Sequence, residues 1–376
     1  MQPIYLDNAA STRIADEVLA LVTEVQRTAW GNPSAQHPQG AAARAYIATA
    51  RNRMLAALGD RGAGDILWTS GCSEANALAV LGAARVRPGK LVTTTFEHPA
   101  IATLADRLAA EGREIVRVAP ERDGVIDPDA FAAAAADAAV VSFVAVQNEI
   151  GVVQPVASLI AAARAAAPSA HIHVDAAQAL GKIALDVASG YDSLSIAGHK
   201  LHGPKGVGAL WLRSSARIEP LWVGGGQQHG LRGGTQDAPS TAGLGLAAER
   251  AVGSLTSARA RWLEFARDVM AALAARGVTA RQLVPDHRRA PHILSIAIAG
   301  VPASGLRNVL ASRGVYVSTG SACADADTKK SHVLEAIGLP PADGMVRLSF
   351  GLDTTADDVA RAAEILADVA SSLAKR

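Results

Sequence analysis

Lys200 follows a short β-leaning run, Ser193 to Ala197, that stops at Gly198. Gly203, Pro204 and Gly206 come next, before a second apolar run from Val207 to Leu212. That order puts the amine on a loop at the end of a buried strand, where pockets form and catalytic side chains often sit. Desolvation there lowers the pKa of a lysine and leaves a nucleophilic amine. A lone lysine in such a loop reads more simply as a solvated hairpin residue. What changes the balance is the segment His171 to Gln178, a short apolar strand ending in Asp175. A lysine and an aspartate at the ends of neighbouring buried strands are the two groups that pyridoxal 5'-phosphate (PLP) requires. The amine holds the aldehyde, and the carboxylate keeps the ring nitrogen protonated so that the ring accepts electrons. A third reactive group is Cys323, set among small residues from Ser318 to Asp325 after a strand-like run. A thiol in such a segment is exposed and mobile, unlike a packed structural cysteine.

Four further stretches carry polar chemistry. Thr69 to Asn76 lies between a strand and a helix, so the backbone amides at the helix start, with the Ser73 hydroxyl, make a seat for a phosphate. The same pattern, Ser73 before Glu74 and an apolar run, is also a plain helix N-cap. Phe96 to Ala100 presents His98 at a helix entrance, and an imidazole offers a flat face and a pKa near working pH. Gln147 to Gly151 ends the run Val140 to Val146 and carries Asn148. Val346 to Gly351 supplies Arg347 on a strand, and a guanidinium binds a carboxylate through two parallel bonds.

With these segments in place, the chain resembles the PLP-dependent cysteine desulfurases of the NifS/IscS type, in the class V aminotransferase family, over nearly its whole length. The resemblance implies an α/β fold of PLP-dependent fold type I (aspartate aminotransferase-like). In it a large domain with a mainly parallel seven-stranded sheet is joined to a small α+β C-terminal domain. It implies that Lys200 and His98 act with the nucleophile Cys323. It places Asp175, Gln178, Gly71, Cys72, Ser73, Asn148, Ser195 and His199 at the cofactor, Gln178 on its phenolic oxygen and His98 stacked on its ring. Cys72 stands at a small-residue position of that motif, which implies packing without a redox role. Arg347, Asn148 and Asn8 would hold the substrate, L-cysteine. The loop Gly224 to Thr235 implies a homodimer in which Thr235 reaches the partner's phosphate. The spacing from Cys323 to Ser331–Leu334 fits the NifS/IscS group with its longer loop. The product would be alanine, with sulfur held as a persulfide for an acceptor protein. Selenocysteine lyase, or another class V relative, is the alternative; a PLP-binding sulfur-relay protein active only in a complex is a third. Three positions depart from the family pattern: Ala197 replaces a phosphate-touching serine, His202 a common tyrosine, and Arg13 a proline. The longer tail that IscS-type enzymes use toward their scaffold partner is not expected after Arg376, which leaves the sulfur acceptor open.

These groups need a scaffold. Strand-like and helix-like runs alternate from Ile66 to Val174, which predicts a mainly parallel sheet covered on both faces. Helices are expected over about 15–29 and 40–58. After the irregular glycine-rich loop, one long helix is expected from about Pro239 to Arg276. A smaller α+β pattern follows: strands Ile293–Ala299, Val315–Ser318 and Met345–Phe350, helices Gly305–Arg313 and Ala356–Ala374. The division expected is a segment 1–14 packing with the small domain, a large domain 15–260 and a small domain 261–376.

Composition adds bounds. At 376 residues with 49% hydrophobic and 19% charged residues, this is a soluble globular composition. A net charge of +1 gives no broad pull on nucleic acid or anionic membrane. The first residues are not those of a signal peptide, and no apolar span is long enough to cross a bilayer. Two cysteines make neither a disulfide framework nor, alone, a structural zinc site, so the cytoplasm is expected and no metal.

Overall fold

The computed structural model describes residues 3–185, 190–320, 331–340 and 343–374. Cys323, the expected nucleophile, lies outside the described residues.

The first strand, β1 (Ile4–Tyr5), is followed by two helices, α1 (Asp16–Thr28) and α2 (Pro38–Ala57). From there strands and helices alternate as the apolar runs predict: β2 (Gly64–Thr69), α3 (Cys72–Val86), β3 (Leu91–Thr94), α4 (Pro99–Ala110), β4 (Ile115–Val118), α5 (Pro128–Ala135), β5 (Val140–Val144), α6 (Val156–Ala166), β6 (His171–Asp175), β7 (Ser193–Ala197) and β8 (Gly208–Arg213). Strands β2 to β8 form one seven-stranded sheet in the order β2-β8-β7-β6-β5-β3-β4. All pairings are parallel except those of β8, which runs against both neighbours. Every residue of β5, β6 and β7 is buried. That is the signature of a parallel sheet covered on both faces, and it explains why these runs lack polar alternation. Helix starts follow local chemistry: Pro sits in the first turn of α2, α4 and α5, and Asp127 accepts two amide bonds as the cap of α5.

The chain continues through α7 (Ala238–Gly253), α8 (Leu255–Ala275), β9 (Ala280–Gln282), β10 (Ile293–Ile298), α9 (Ala303–Ser312), β11 (Val315–Tyr316), α10 (His332–Ala336), β12 (Gly344–Ser349) and α11 (Ala356–Ala374). Here β12-β10-β9 make an antiparallel sheet, and β1 pairs with β11. A second apolar core forms around Trp262, Phe265, Leu294, Val346 and Phe350, and it includes Ile4 and Leu6 from the start of the chain. The helix expected over 239–276 is two helices, parted at Ser254, whose amide bonds back to the Arg250 and Val252 carbonyls. The Gly253-Ser254 pair weakens the helical ladder where the chain must pass from one core to the other. Residues of α7 pack in the core of the large sheet, whereas Ala258 and Trp262 of α8 belong to the second. Among the described residues no helix is long and apolar enough to cross a membrane.

One register matters for chemistry. Asp175 pairs with Ser195 on β7 and with Val144 on β5, so the carboxyl ends of three parallel strands lie side by side. In open α/β sheets that edge is where ligands bind.

Candidate active site

A cavity of ≈ 430 Å³ opens at that edge, lined by residues from six segments, among them Gly71, Cys72, Ser73, Asn148, Asp175 and Lys200. Its size suits a small cofactor. Lys200 ends a single helical turn, Gly198–Lys200, directly after β7. Asp175 ends β6 and is buried; its Oδ1 accepts from the Ala177 amide at 2.9 Å and its Oδ2 from Asn76 Nδ2 at 2.7 Å. Two such bonds fix the orientation of this carboxyl group deep in the wall. His98 caps α4, its Nδ1 accepting from the Ala100 amide, and its ring lines the cavity. Burial, reinforced by Lys200, holds His98 below the ordinary histidine range, so it is a neutral imidazole at working pH.

The helix start at α3 differs from the capping pattern in the sequence. Gly71 is the N-cap and Ser73 stands inside the first turn, its hydroxyl free of the capping role. The amides of that turn therefore face the cavity with their orphan N–H groups and the positive end of the helix. Gly208 on β8 lets the strand pass against this turn: a Cβ there would fall 2.5 Å from the Gly71 carbonyl carbon. Cys72 Sγ lies 3.3 Å from Ser195 Oγ and 3.7 Å from Asp175 Oδ1. Burial and the Asp175 charge push its thiol well up, which makes it a poor nucleophile. Ser195, bonded to that thiol, is not among the residues that line the cavity.

Gln178 lines the cavity and is oriented from behind. Its Oε1 accepts from Lys182 Nζ at 2.9 Å and lies 3.2 Å from His292 Nε2, while its Nε2 donates to the Ala9 carbonyl. The amide therefore offers its remaining N–H, a donor, to the cavity. His199 and Ala197 also line it; His199 is lowered to about 4 by burial and then by the nearby Lys200, Lys205 and Lys182.

Three expected residues stand apart. Arg347 is buried on β12, pairing with Asp7 at 2.6 Å and donating to the Asn148 carbonyl at 2.7 Å, with its Nε without a partner among the described residues. Asn8 donates to the Ser349 carbonyl and lines a neighbouring small cavity with Lys182 and Lys200. Thr235 is exposed and outside this cavity.

An amine, a deep carboxylate, an imidazole face, an amide donor and a helix N-terminus in one cavity fit PLP in donor set and size. The sequence profile described as Aminotransferase class-V matches residues 4–362. The chain belongs to the class V aminotransferase family. Enzymes of this family use PLP. A protein named cysteine desulfurase from Cereibacter sphaeroides is 37% identical, the match covering 99% of this chain and 97% of that one. Among solved structures, a NifS-like protein superposes with a TM-score of 0.92 at 30% identity, covering 99% of this chain and 100% of that chain. A structure described as SspA in complex with cysteine gives a TM-score of 0.80 at 31% identity, over 92% and 98% of the two chains.

Sequence reasoning passed over two members of this class V site. Asn76 was inside a recognised motif, and its spacing of four from Cys72 puts both on one face of α3. Glu97, beside His98, is fully buried: its Oε1 accepts from Thr94 Oγ1 and the Val144 amide, and its Oε2 has no partner among the described residues. Burial, with the Asp175 charge adding to it, raises this carboxyl from 4.5 to about 8. The folded protein then binds a proton that the unfolded chain releases, so stability falls as pH rises from the unfolded value toward about 8. Glu97→Gln should flatten that decline, an effect bounded by about 5 kcal/mol. Melting temperatures of both proteins from pH 5 to 8.5 check this; parallel curves would contradict a protonated Glu97.

Proposed function

We propose that this chain is a cysteine desulfurase: it takes the sulfur of L-cysteine as a persulfide on Cys323, releases L-alanine and hands the sulfur to an acceptor protein. The observation that carries the reading is the meeting of Lys200, Asp175 and His98 in one cavity beside the amides of the α3 start. The family and its cysteine desulfurase relatives support it.

When bound, PLP draws electrons from the carbons of an attached amino acid, which makes the α-proton acidic and the C–S bond breakable. Lys200 would hold the cofactor's aldehyde and move protons at the substrate's α-carbon. Asp175 would keep the ring nitrogen protonated, Gln178 would donate to the phenolic oxygen, and the Gly71–Ser73 turn with His199 would receive the phosphate. His98 would stack on the ring and, being neutral, could accept a proton. Arg347, steadied by Asp7 and the Asn148 carbonyl, takes the substrate carboxylate with Asn148 and Asn8. The Cys323 thiolate attacks the substrate sulfur: an S–S bond forms, the C–S bond breaks with its electron pair going to the β-carbon, and that carbon takes a proton.

The working unit is a homodimer in the cytoplasm. Thr235, exposed here, completes the partner's phosphate seat, and the exposed Trp222 and Val223 flank the same glycine-rich loop. Purified protein supplied with PLP should convert L-cysteine to alanine with one sulfur released per alanine when a thiol is present. Alanine formed from selenocysteine with almost none from cysteine would overturn the assignment, as would turnover that needs a second protein.

A further inference from the structure

Strand β6 carries His171, His173 and Asp175 at every second position, hence on one face of the sheet. All three are buried, as are Ser193 on β7 and Asn76 on α3. They are connected without a gap. His171 Nε2 lies 2.8 Å from Ser193 Oγ, which lies 2.8 Å from His173 Nδ1. His173 Nε2 lies 2.9 Å from Asn76 Oδ1, and Asn76 Nδ2 lies 2.7 Å from Asp175 Oδ2.

Chemistry fixes the direction of every bond. A carboxylate only accepts, so Asn76 turns its amide nitrogen to Asp175 and its oxygen to His173. That oxygen also only accepts, so His173 carries its proton on Nε2. His173 is lowered to about 4 by burial, with Asp175 and a contact to the Ser193 backbone opposing, and is therefore neutral; with the proton on Nε2, Nδ1 is the acceptor that meets Ser193 Oγ. Ser193 has one proton and must give it to that Nδ1, so its oxygen accepts from His171 Nε2. An independent observation agrees: among the described residues His171 Nδ1 has no partner, as suits a bare acceptor better than a buried N–H. Burial above all, then the nearby His173, Arg87 and Arg164, discourages a proton on His171. At the other end Lys200 and His98 line the same cavity as Asp175.

We propose that His171, Ser193, His173 and Asn76 form a one-way hydrogen-bond relay, every proton pointing toward Asp175, and act as positioning residues that keep this carboxyl group aligned with the ring nitrogen of the bound cofactor. Bonds aligned head to tail polarise one another, so the remote members strengthen the last bond to Asp175. The relay rests on the proposed function only for its effect at that nitrogen; its direction stands on the protein alone.

Two measurements test it. In cofactor-free protein, long-range nitrogen–proton NMR should find both His171 and His173 as neutral Nε2–H tautomers; an Nδ1–H on His173 overturns the relay. In PLP-loaded protein, Ser193→Ala removes one link that touches neither cofactor nor Asp175. Its kcat for cysteine should fall by about three- to tenfold with KM unchanged, and the pH at which the cofactor's visible band titrates should rise by about half a unit. Ser193→Thr, which restores the hydroxyl, should return both. Wild-type kcat and titration in Ser193→Ala would overturn the relay's role while the tautomers stand. Wild-type protein that takes up no PLP would overturn the functional reading itself, and the role at the ring nitrogen with it.

Discussion

Lys200→Ala should lower alanine formation from cysteine by about 10³-fold or more, because in the proposed function the residue both attaches the cofactor and carries the proton. Lys200 is the one lysine among the described residues lining the cavity. Lys182 cannot replace it: burial and the neighbouring Lys200 hold its pKa well below the ordinary lysine value, yet its Nζ is spent on Gln178. The variant should still take up PLP, since Asp175, Gln178 and the α3 amides remain, but borohydride should no longer fix it to the protein. Absorbance and intact mass before and after reduction read both effects. Turnover within tenfold of the wild type would remove Lys200 from the mechanism.

Cys323→Ser should be as damaging to turnover and harmless to the cofactor. A hydroxyl is far less ionised than a thiol and a poorer nucleophile toward sulfur, so alanine formation should fall by about 10³-fold. The visible absorbance and the borohydride adduct should match the wild type. Cys72 offers no substitute, being held protonated beside Asp175. Cys72→Ala, made in parallel, should therefore leave turnover close to the wild type. Retained turnover in Cys323→Ser, or its loss in Cys72→Ala alone, would exchange the roles of the two thiols.

Much of this site could be read from residue order because it rests on strand ends. A fully apolar run that stops at a polar residue announces a buried strand meeting a pocket, as at Asp175 and after Ala197. Capping residues and prolines likewise marked α4 and α5. The break between α7 and α8 was missed because both helices are rich in alanine, and Gly253-Ser254 is a weak stop unless two cores pull the chain apart. Strands β1 and β9 are two and three residues long, too short to show a period; only pairing with β11 and β10 defines them. Around Asp175, the histidine spacing in β6 was visible, but its meaning depended on Ser193 and Asn76 arriving from other elements. The Arg347–Asp7 pair joins residues 340 positions apart, and nothing local to either predicts it.

The central claim is that the amine of Lys200 and the carboxylate of Asp175 grip the aldehyde and the ring of one PLP molecule. Borohydride reduction of the purified, PLP-loaded protein, followed by peptide mass mapping, tests it most directly. The adduct should sit on the peptide containing Lys200 and nowhere else. A colourless protein with no adduct, or an adduct on Lys182 or Lys205, would contradict it.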